Sequence, residues 1–417
     1  MRVLVLGSGA REHSVAWMFS KSNRISGLFI APGNAGTEEL GVNITDIDIN
    51  DSAQVIEVCR KNDINIVFIG PEKPLDSGVA DDLLKAEIPV IGPPKESAKL
   101  ETSKTFSKNF MQKHKIPTAK AEEFSDYAAF EKYIKEGSGK QVLKKNGLAG
   151  GKGVLESDDT KELLDFGKKV LKDDTLLVED FLEGYEVSVF AFTDGEHYLL
   201  FPTCADFKKA EEGDTGPNTG GMGAICPVPW VDKKMMERIK QEVVEPTFNG
   251  IKKDGLQYHG VLYFGLMITN DGPKVLEYNV RLGDPETQAL FPIIESDFGN
   301  LIDNVWKGKL DEFPLEINQQ SSMCVVIASK GYPGVYEKEK TVSPIPIYPE
   351  TDSLVFHAAT ERDKDDRVIT TGGRCFSAVG LGKDLLTASI RAYEAAERIQ
   401  FNGSWYRKDI GRKFFME

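Results

Sequence analysis

Cysteine, histidine and positive charge are all scarce in this chain, and each shortage closes off a class of function. Among 417 residues there are five cysteines, Cys59, Cys204, Cys226, Cys324 and Cys375, scattered and without a C-x-x-C pair. An odd, dispersed set excludes a disulfide framework or a cysteine zinc site and reads as reduced core thiols of a cytoplasmic protein. The five histidines lie far apart, which removes a zincin helix and a haem site. No apolar run reaches the ~18 residues of a membrane span, and the first residues read as a strand, Arg2–Leu6, rather than a signal peptide. The 51 Lys and Arg are outnumbered by 65 Asp and Glu, giving −14 with no basic tail. Nucleic acid and anionic membrane are therefore poor partners, although lysines and arginines converging locally in so acidic a chain would suit a small anion.

What is present is most concentrated in Lys274-Val-Leu-Glu-Tyr-Asn-Val-Arg-Leu-Gly-Asp-Pro-Glu286. Side chains alternate across a strand, so Glu277, Asn279 and Arg281 are expected on one face and Leu276, Tyr278 and Val280 on the other. Mg²⁺ takes one or two protein oxygens plus substrate phosphates, and Arg binds carboxylate or phosphate bidentately. Such a face would bring metal and oxyanion together; the plainer reading is a solvated strand with an ion pair. The Gly-Asp-Pro break after Leu282 favours a site, because it ends the strand at a sheet edge.

A single core stops growing near ~250–300 residues, so the length predicts two to four domains. Four apolar runs, Val3–Leu6, Leu28–Ile30, Ile64–Ile69 and Pro89–Ile91, alternate with helical stretches such as Ser52–Lys61. That pattern predicts an α/β fold opening on a doubly wound, Rossmann-like parallel sheet, with ligands beyond the carboxyl ends of its strands. The first loop, G-S-G-A-R-E, has Glu12 where a dinucleotide fingerprint has its third glycine, and Ala31-Pro32 ends the second strand where NAD would want an acid, so NAD is disfavoured. A small phosphate at this helix N-terminus, helped by Arg11, and a purely structural turn both remain open.

A second αβ region begins with a helix over Ser103–His114. The strand Gln141–Lys144 runs into Asn146-Gly-Leu-Ala-Gly-Gly-Lys-Gly153 and out through Val154-Leu155, a strand–glycine loop–strand hairpin that is not a P-loop. Leu176–Phe181 reads as a strand, and Asp214–Gly223 as either a substrate loop or a disordered one. Val261–Ile268 and Lys274–Arg281 form a hairpin around Asn270-Asp-Gly272. From about Ser321 come strands at Met323–Ala328, Leu354–Ala358 and Arg374–Val379. An amphipathic helix follows over Leu385–Ile399, with Leu386, Ile390 and Tyr393 as its expected core face. No chemical motif marks this last region, which is taken as packing and closure.

Lys144 with the glycine hairpin, the Glu179–Glu186 segment and the Glu277/Asn279 pair together resemble the ATP-grasp superfamily. Ala31-Pro-Gly-Asn-Ala-Gly-Thr37, Asp214-Thr-Gly-Pro-Asn-Thr-Gly-Gly-Met-Gly223 and Arg281-Leu-Gly-Asp-Pro-Glu286 narrow the resemblance to its phosphoribosylamine–glycine ligase (glycinamide ribonucleotide synthetase) family, with similar segment order from Val3 to Arg412. Three domains are implied: 1–103 for substrate, 104–314 as the ATP-grasp with a lid at about 120–187, and a small α/β domain over 321–417. The implied reaction joins glycine to 5-phosphoribosylamine through glycyl phosphate, with ATP and Mg²⁺ (Mn²⁺ as the alternative metal), in a monomer or weak dimer.

The resemblance also implies roles. Lys104, Lys144, Gly151 and Gly153 would meet the phosphates, main chain at Glu179, Asp180, Phe181 and Leu182 the adenine, and Glu186 the ribose. Glu277 and Asn279 would hold the metal. Arg281 with Asp214, Asn218, Thr219 and Gly220 would take glycine and the acyl phosphate, and Gly9, Arg11 and Asn34 would take phosphoribosylamine. Lys144, Asp206 and Arg281 would be catalytic. Local departures from the family pattern are Lys144-Lys145-Asn146-Gly147 for Lys-Ala-Asp-Gly, Phe207 within Ala205–Lys209 for His, and Gly-Ser-Gly-Ala for Gly-Asn-Gly-Gly near the start.

Overall fold

The buried runs of the first hundred residues pair as a five-stranded, all-parallel sheet in a computed structural model that describes residues 1–147, 153–345 and 352–415. Its order is Val42–Asn43, Gly27–Pro32, Arg2–Gly7, Ile66–Ile69, Val90–Ile91. The middle strands are buried along nearly their whole length, as strands covered by helices on both faces must be. The doubly wound expectation therefore holds, and Ser52–Lys61 is helical over the span expected.

Two four-stranded sheets build the middle of the chain. One is the central sheet, ordered Tyr198–Leu200, Tyr185–Thr193, Gly260–Thr269, Gly272–Asn279. The other, the lid sheet, runs Ala121–Phe124, Leu176–Asp180, Gln141–Lys145, Val154–Ser157. The lid sheet packs on helices Tyr127–Glu136 and Thr160–Val170 through its own small core of Phe130, Leu143, Leu163 and Val178. The hairpin around the glycine loop is present, with Lys144 opposite Val154. Gly151 lies outside the described residues.

The alternation expected along the strand Gly272–Asn279 breaks once. Gly265 pairs with Glu277 while Leu266 pairs with Val275, so Leu276 is the extra residue of a β-bulge. Glu277, Asn279 and Arg281 keep their common face, but Leu276 joins them on the cavity wall instead of entering the core with Val275 and Tyr278.

Two further expectations are corrected, and one sheet crosses between two of the expected domains. The Asp214–Gly223 segment is neither disordered nor a bare loop: Thr215–Asn218 pairs with Lys209–Glu211, and Gly223 opens a buried strand, Gly223–Cys226. That strand pairs with Ser321–Ala328, so one sheet, ordered Ala205–Asp206, Gly223–Cys226, Ser321–Ala328, Arg374–Gly382, Ser353–His357, draws strands from both sides of the expected 314/321 boundary. In the helix Leu385–Glu397, Tyr393 packs against the core as expected, but Leu386 and Ile390 are each 53% exposed, and the buried face is Leu385, Ala388, Ala392, Ala395 and Ala396. Glycine dictates the inversion: a Cβ at Gly380 or Gly382 would collide with helix backbone, so the helix lies directly on the sheet and only alanine-sized side chains fit between.

Candidate active site

A cavity of about 910 Å³ opens where the lid sheet, the central sheet, the N-terminal domain and the C-terminal sheet converge. Of the residues singled out from sequence it gathers Arg11, Lys104, Lys144, Gly153, Glu179, Asp180, Phe181, Leu182, Glu186, Asp206, Asp214, Asn218, Thr219, Gly220, Glu277, Asn279 and Arg281. Their spread from residue 11 to 281 is set by the strand ends, helices and loops that these four parts present to one space.

On the Glu277 face, Asn279 Oδ1 accepts from Arg281 at 3.2 Å. Arg281 is held from behind by Glu101 Oε1 at 2.9 Å and by Glu72 at 3.5 Å, and Glu101 also accepts the Val280 N–H at 2.8 Å. Glu277 differs: among the described residues, no hydrogen bond or ion pair engages its carboxylate. Burial would raise its pKa, but Lys208, Lys144, Lys104 and Arg281 outweigh burial and hold it below the usual range, so it stands ionised. No cluster of three His, Cys, Asp or Glu able to hold a metal occurs among the described residues. An unpartnered carboxylate beside an amide oxygen nevertheless fits Mg²⁺, which keeps most of its ligands as water and phosphate.

Opposite, Lys144 is buried and Lys145 is 39% exposed beside Asp174, as alternation along a strand requires. Burial lowers the pKa of Lys104, with Lys144 repelling and Glu277 opposing the shift. Asp206 is the outlier: burial, aided by Glu286, Glu186 and Glu277 against Lys208, raises its carboxyl to about 8. Glu186 meets Lys208 Nζ at 2.6 Å, and Asp214 meets Arg407 and Lys413 at 3.0 and 3.1 Å.

The N-terminal candidates separate. Glu12, the residue that breaks the dinucleotide fingerprint, turns its own carboxylate over the loop, accepts the Gly9 N–H at 2.7 Å and pairs with Arg11 at 2.5 Å. A Cβ at Gly7 or Gly70 would run into it. The acid thus occupies the anion position of this helix N-terminus, which favours the structural turn over the small phosphate, the two readings that the sequence left open. Asn34 is also spoken for. Its amide nitrogen donates to Ser8 and His357 carbonyls, both at 2.9 Å, and its oxygen accepts from Gly36 and Thr37. Neither Gly9 nor Asn34 lines the cavity; Arg11 does.

Sequence reasoning passed over Glu72, Glu101, Lys108, Lys208, Glu286, Arg374 and Lys413, all on the cavity wall. Lys208 and Glu286 sit within quoted motifs and were recoverable. Arg374 and Lys413 come from the region without a motif. Arg374 pairs with Asp284 at 3.1 Å and donates to the carbonyl of Gly220 at 2.5 Å, a contact only the fold creates. The departures also find partners: Asn146 accepts from Thr105 N at 3.0 Å, and Phe207 lies 5.5 Å beneath Arg407.

Two antiparallel sheets closing over a cavity with lysines on one wall and an acid–amide–arginine strand on the other define an ATP-grasp protein. The phosphoribosylglycinamide synthetase N domain matches residues 1–101, the ATP-grasp (A) domain 102–287 and the C domain 322–413. The chain belongs to the phosphoribosylglycinamide synthetase family. It is 43% identical to phosphoribosylamine–glycine ligase of Chlorobaculum tepidum, over 99% of this chain and all of the relative. Identity to the enzyme of that name from Caldanaerobacter subterraneus subsp. tengcongensis is 42%, over 98% and 99%. The crystal structure of phosphoribosylamine–glycine ligase from Thermotoga maritima superposes with a TM-score of 0.86 at 34% identity, over 98% of this chain and all of that one. A biotin carboxylase domain from Hydrogenobacter thermophilus, in complex with MgADP, shares the fold at TM-score 0.74 and 15% identity over 97% and 91%.

Proposed function

We propose that this chain ligates glycine to 5-phosphoribosylamine at the expense of ATP, giving glycinamide ribonucleotide, ADP and phosphate. The observation that carries the reading is kinship of 43% identity across essentially the whole length of a curated enzyme of that activity. The cavity chemistry is compatible with it. A carboxylate cannot be joined to an amine in water until one of its oxygens becomes a leaving group. Transfer of the γ-phosphoryl of ATP to a glycine oxygen releases ADP and supplies that group as glycyl phosphate. The amine nitrogen then attacks the carbonyl carbon, the carbon–oxygen bond to phosphate breaks, and the nitrogen loses a proton. Positioning and charge neutralisation dominate such chemistry, so it requires no nucleophilic Ser or Cys.

In this reading Lys104 and Lys144 bind the phosphates, main chain over Glu179–Leu182 receives the adenine and Glu186 the ribose. Glu277 and Asn279 would hold Mg²⁺, which would supply charge neutralisation for phosphoryl transfer. Arg281, kept in place by Glu101 and Glu72, orients the glycine carboxylate, with the Asp214–Gly220 segment closing over it. The lid sheet excludes water from an acyl phosphate that water would hydrolyse. The test is ADP formation with ATP, Mg²⁺, glycine and fresh phosphoribosylamine, each omitted in turn. Product should require all four, and a small acid that replaces glycine would refute the assignment in favour of another ATP-grasp ligase.

A further inference from the structure

Lys108, Glu179 and Lys144 are all buried side chains on the lid side of the cavity, and they form one unit. Lys108 Nζ reaches Glu179 Oε1 and Lys144 Nζ reaches Glu179 Oε2, each at 2.8 Å. An ammonium has three donors. Lys108 spends all of its own: besides Glu179 it donates to Thr118 Oγ1 at 2.8 Å and to the Ala119 carbonyl at 3.2 Å. Lys144 spends two, on Glu179 and on the Leu276 carbonyl at 3.0 Å, and among the described residues its third has no partner.

Both lysines are anchored at neighbouring points of the strand that carries Glu277. Thr118 Oγ1, which accepts from Lys108, donates onward to the Val275 carbonyl at 2.7 Å. Leu276, which receives Lys144, is the unpaired residue of the β-bulge, so the ladder makes no regular claim on its carbonyl. The unit therefore fastens the lid-sheet strands Gln141–Lys145 and Leu176–Asp180 to the central sheet next to Glu277. Its three side chains carry two positive charges against one negative, and the excess on Lys144 is turned toward the cavity that Glu277 also faces.

We infer that Lys108 is a positioning residue: through Glu179 it fixes Lys144 so that the one uncommitted N–H of Lys144 faces a nucleotide oxyanion, without touching the nucleotide itself. This assigns the Glu179 side chain a role separate from its main chain, and it rests on the nucleotide-binding reading given above. Replacing Lys108 leaves Glu179 free to swing and Lys144 with a loosened partner. Because the effect passes through Lys144, it must vanish once Lys144 is gone.

A double-mutant cycle on the full chain, read by calorimetric titration with MgADP, tests this. Lys108→Met should weaken MgADP binding about 10-fold in the wild-type background and less than about 2-fold in Lys144→Met, the non-additivity expected of groups in one network. Lys108→Arg, which keeps the charge, should recover part of the loss. Equal losses in the two backgrounds, or none in either, would overturn the inference. If Lys108→Met does not fold, Glu179→Gln replaces it in the same cycle with the same expected pattern. A wild-type chain that fails to bind MgADP would overturn the nucleotide reading and this inference with it, an outcome distinct from binding with additive losses.

Discussion

The N-terminal loops and the strand Gly272–Asn279 are both rich in polar residues at strand ends, yet they use them oppositely. In the loops, two polar groups are answered within the fold: the Asn34 side chain makes four hydrogen bonds to its surroundings, and Glu12 occupies its own helix N-terminus. On the strand, Glu277 has no partner among the described residues and stays ionised because surrounding cations outweigh its burial. A buried polar group whose donors and acceptors are all satisfied is scaffold, whereas a charged one left open is waiting for a ligand. The spent donors of Lys108 and the one remaining on Lys144 repeat that contrast within 3 Å of a shared carboxylate.

The largest effect that would break this contrast belongs to Glu277. Glu277→Gln should lower turnover at least ~10²-fold while the thermal midpoint holds, since groups that stabilise developing charge commonly count for that much; a near wild-type rate at low Mg²⁺ would remove Glu277 from the site. Lys144→Ala comes next. Loss of a charge-assisted contact should weaken ATP use by ~10–100-fold, measured as the change in KM or in nucleotide affinity.

Asn34→Ala should do the reverse of Glu277→Gln. Stranding two carbonyls and two N–H groups costs about 3 kcal/mol in urea unfolding, while kcat of the folded fraction stays within about 2-fold, near the noise of such comparisons. A folded Asn34→Ala protein with lost activity would return this residue to the substrate site.

Much of the architecture could be read from the chain because its signals are local. Alternating apolar runs gave the parallel sheet, and the Asn-Asp-Gly turn gave the hairpin that carries Glu277. The opposite facing of Lys144 and Lys145 followed from strand alternation alone. Long-range features were not readable. The sheet shared by Gly223–Cys226 and Ser321–Ala328 depends on pairing across about a hundred positions. The inward face of the helix Leu385–Glu397 was decided by Gly380 and Gly382 on another element, not by its own larger apolar residues. Glu101 and Arg374 enter the site through contacts 180 and 90 positions distant, Arg281 and Asp284. For Asn34, the sequence offered a polar residue in a glycine loop but not the count of bonds it already makes.

Two smaller effects sharpen the scaffold side. His13 Nδ1 accepts the His357 N–H at 2.8 Å, and burial, with His357 nearby, lowers the His13 pKa to about 3. A histidine held neutral in the fold but protonated in the unfolded chain contributes stability that is complete above the unfolded value near 6.5 and is lost as pH falls toward 3. The destabilisation caused by His13→Asn should therefore be greater at pH 7.5 than at pH 5 in urea titrations, and a pH-independent difference would contradict it. The smallest change expected is Lys145→Ala, with ATP use altered only a few-fold because an exposed pair is worth at most about 1 kcal/mol. Greater damage there than in Lys144→Ala would mean that the strand register is shifted by one residue.

The claim that open charge marks the reaction centre is tested most directly by titrating ADP into wild type, Glu277→Gln and Asn34→Ala, with and without Mg²⁺. The account predicts that Mg²⁺ tightens binding in wild type and in Asn34→Ala but no longer does so in Glu277→Gln. Retention of the Mg²⁺ effect in Glu277→Gln together with its loss in Asn34→Ala would contradict it.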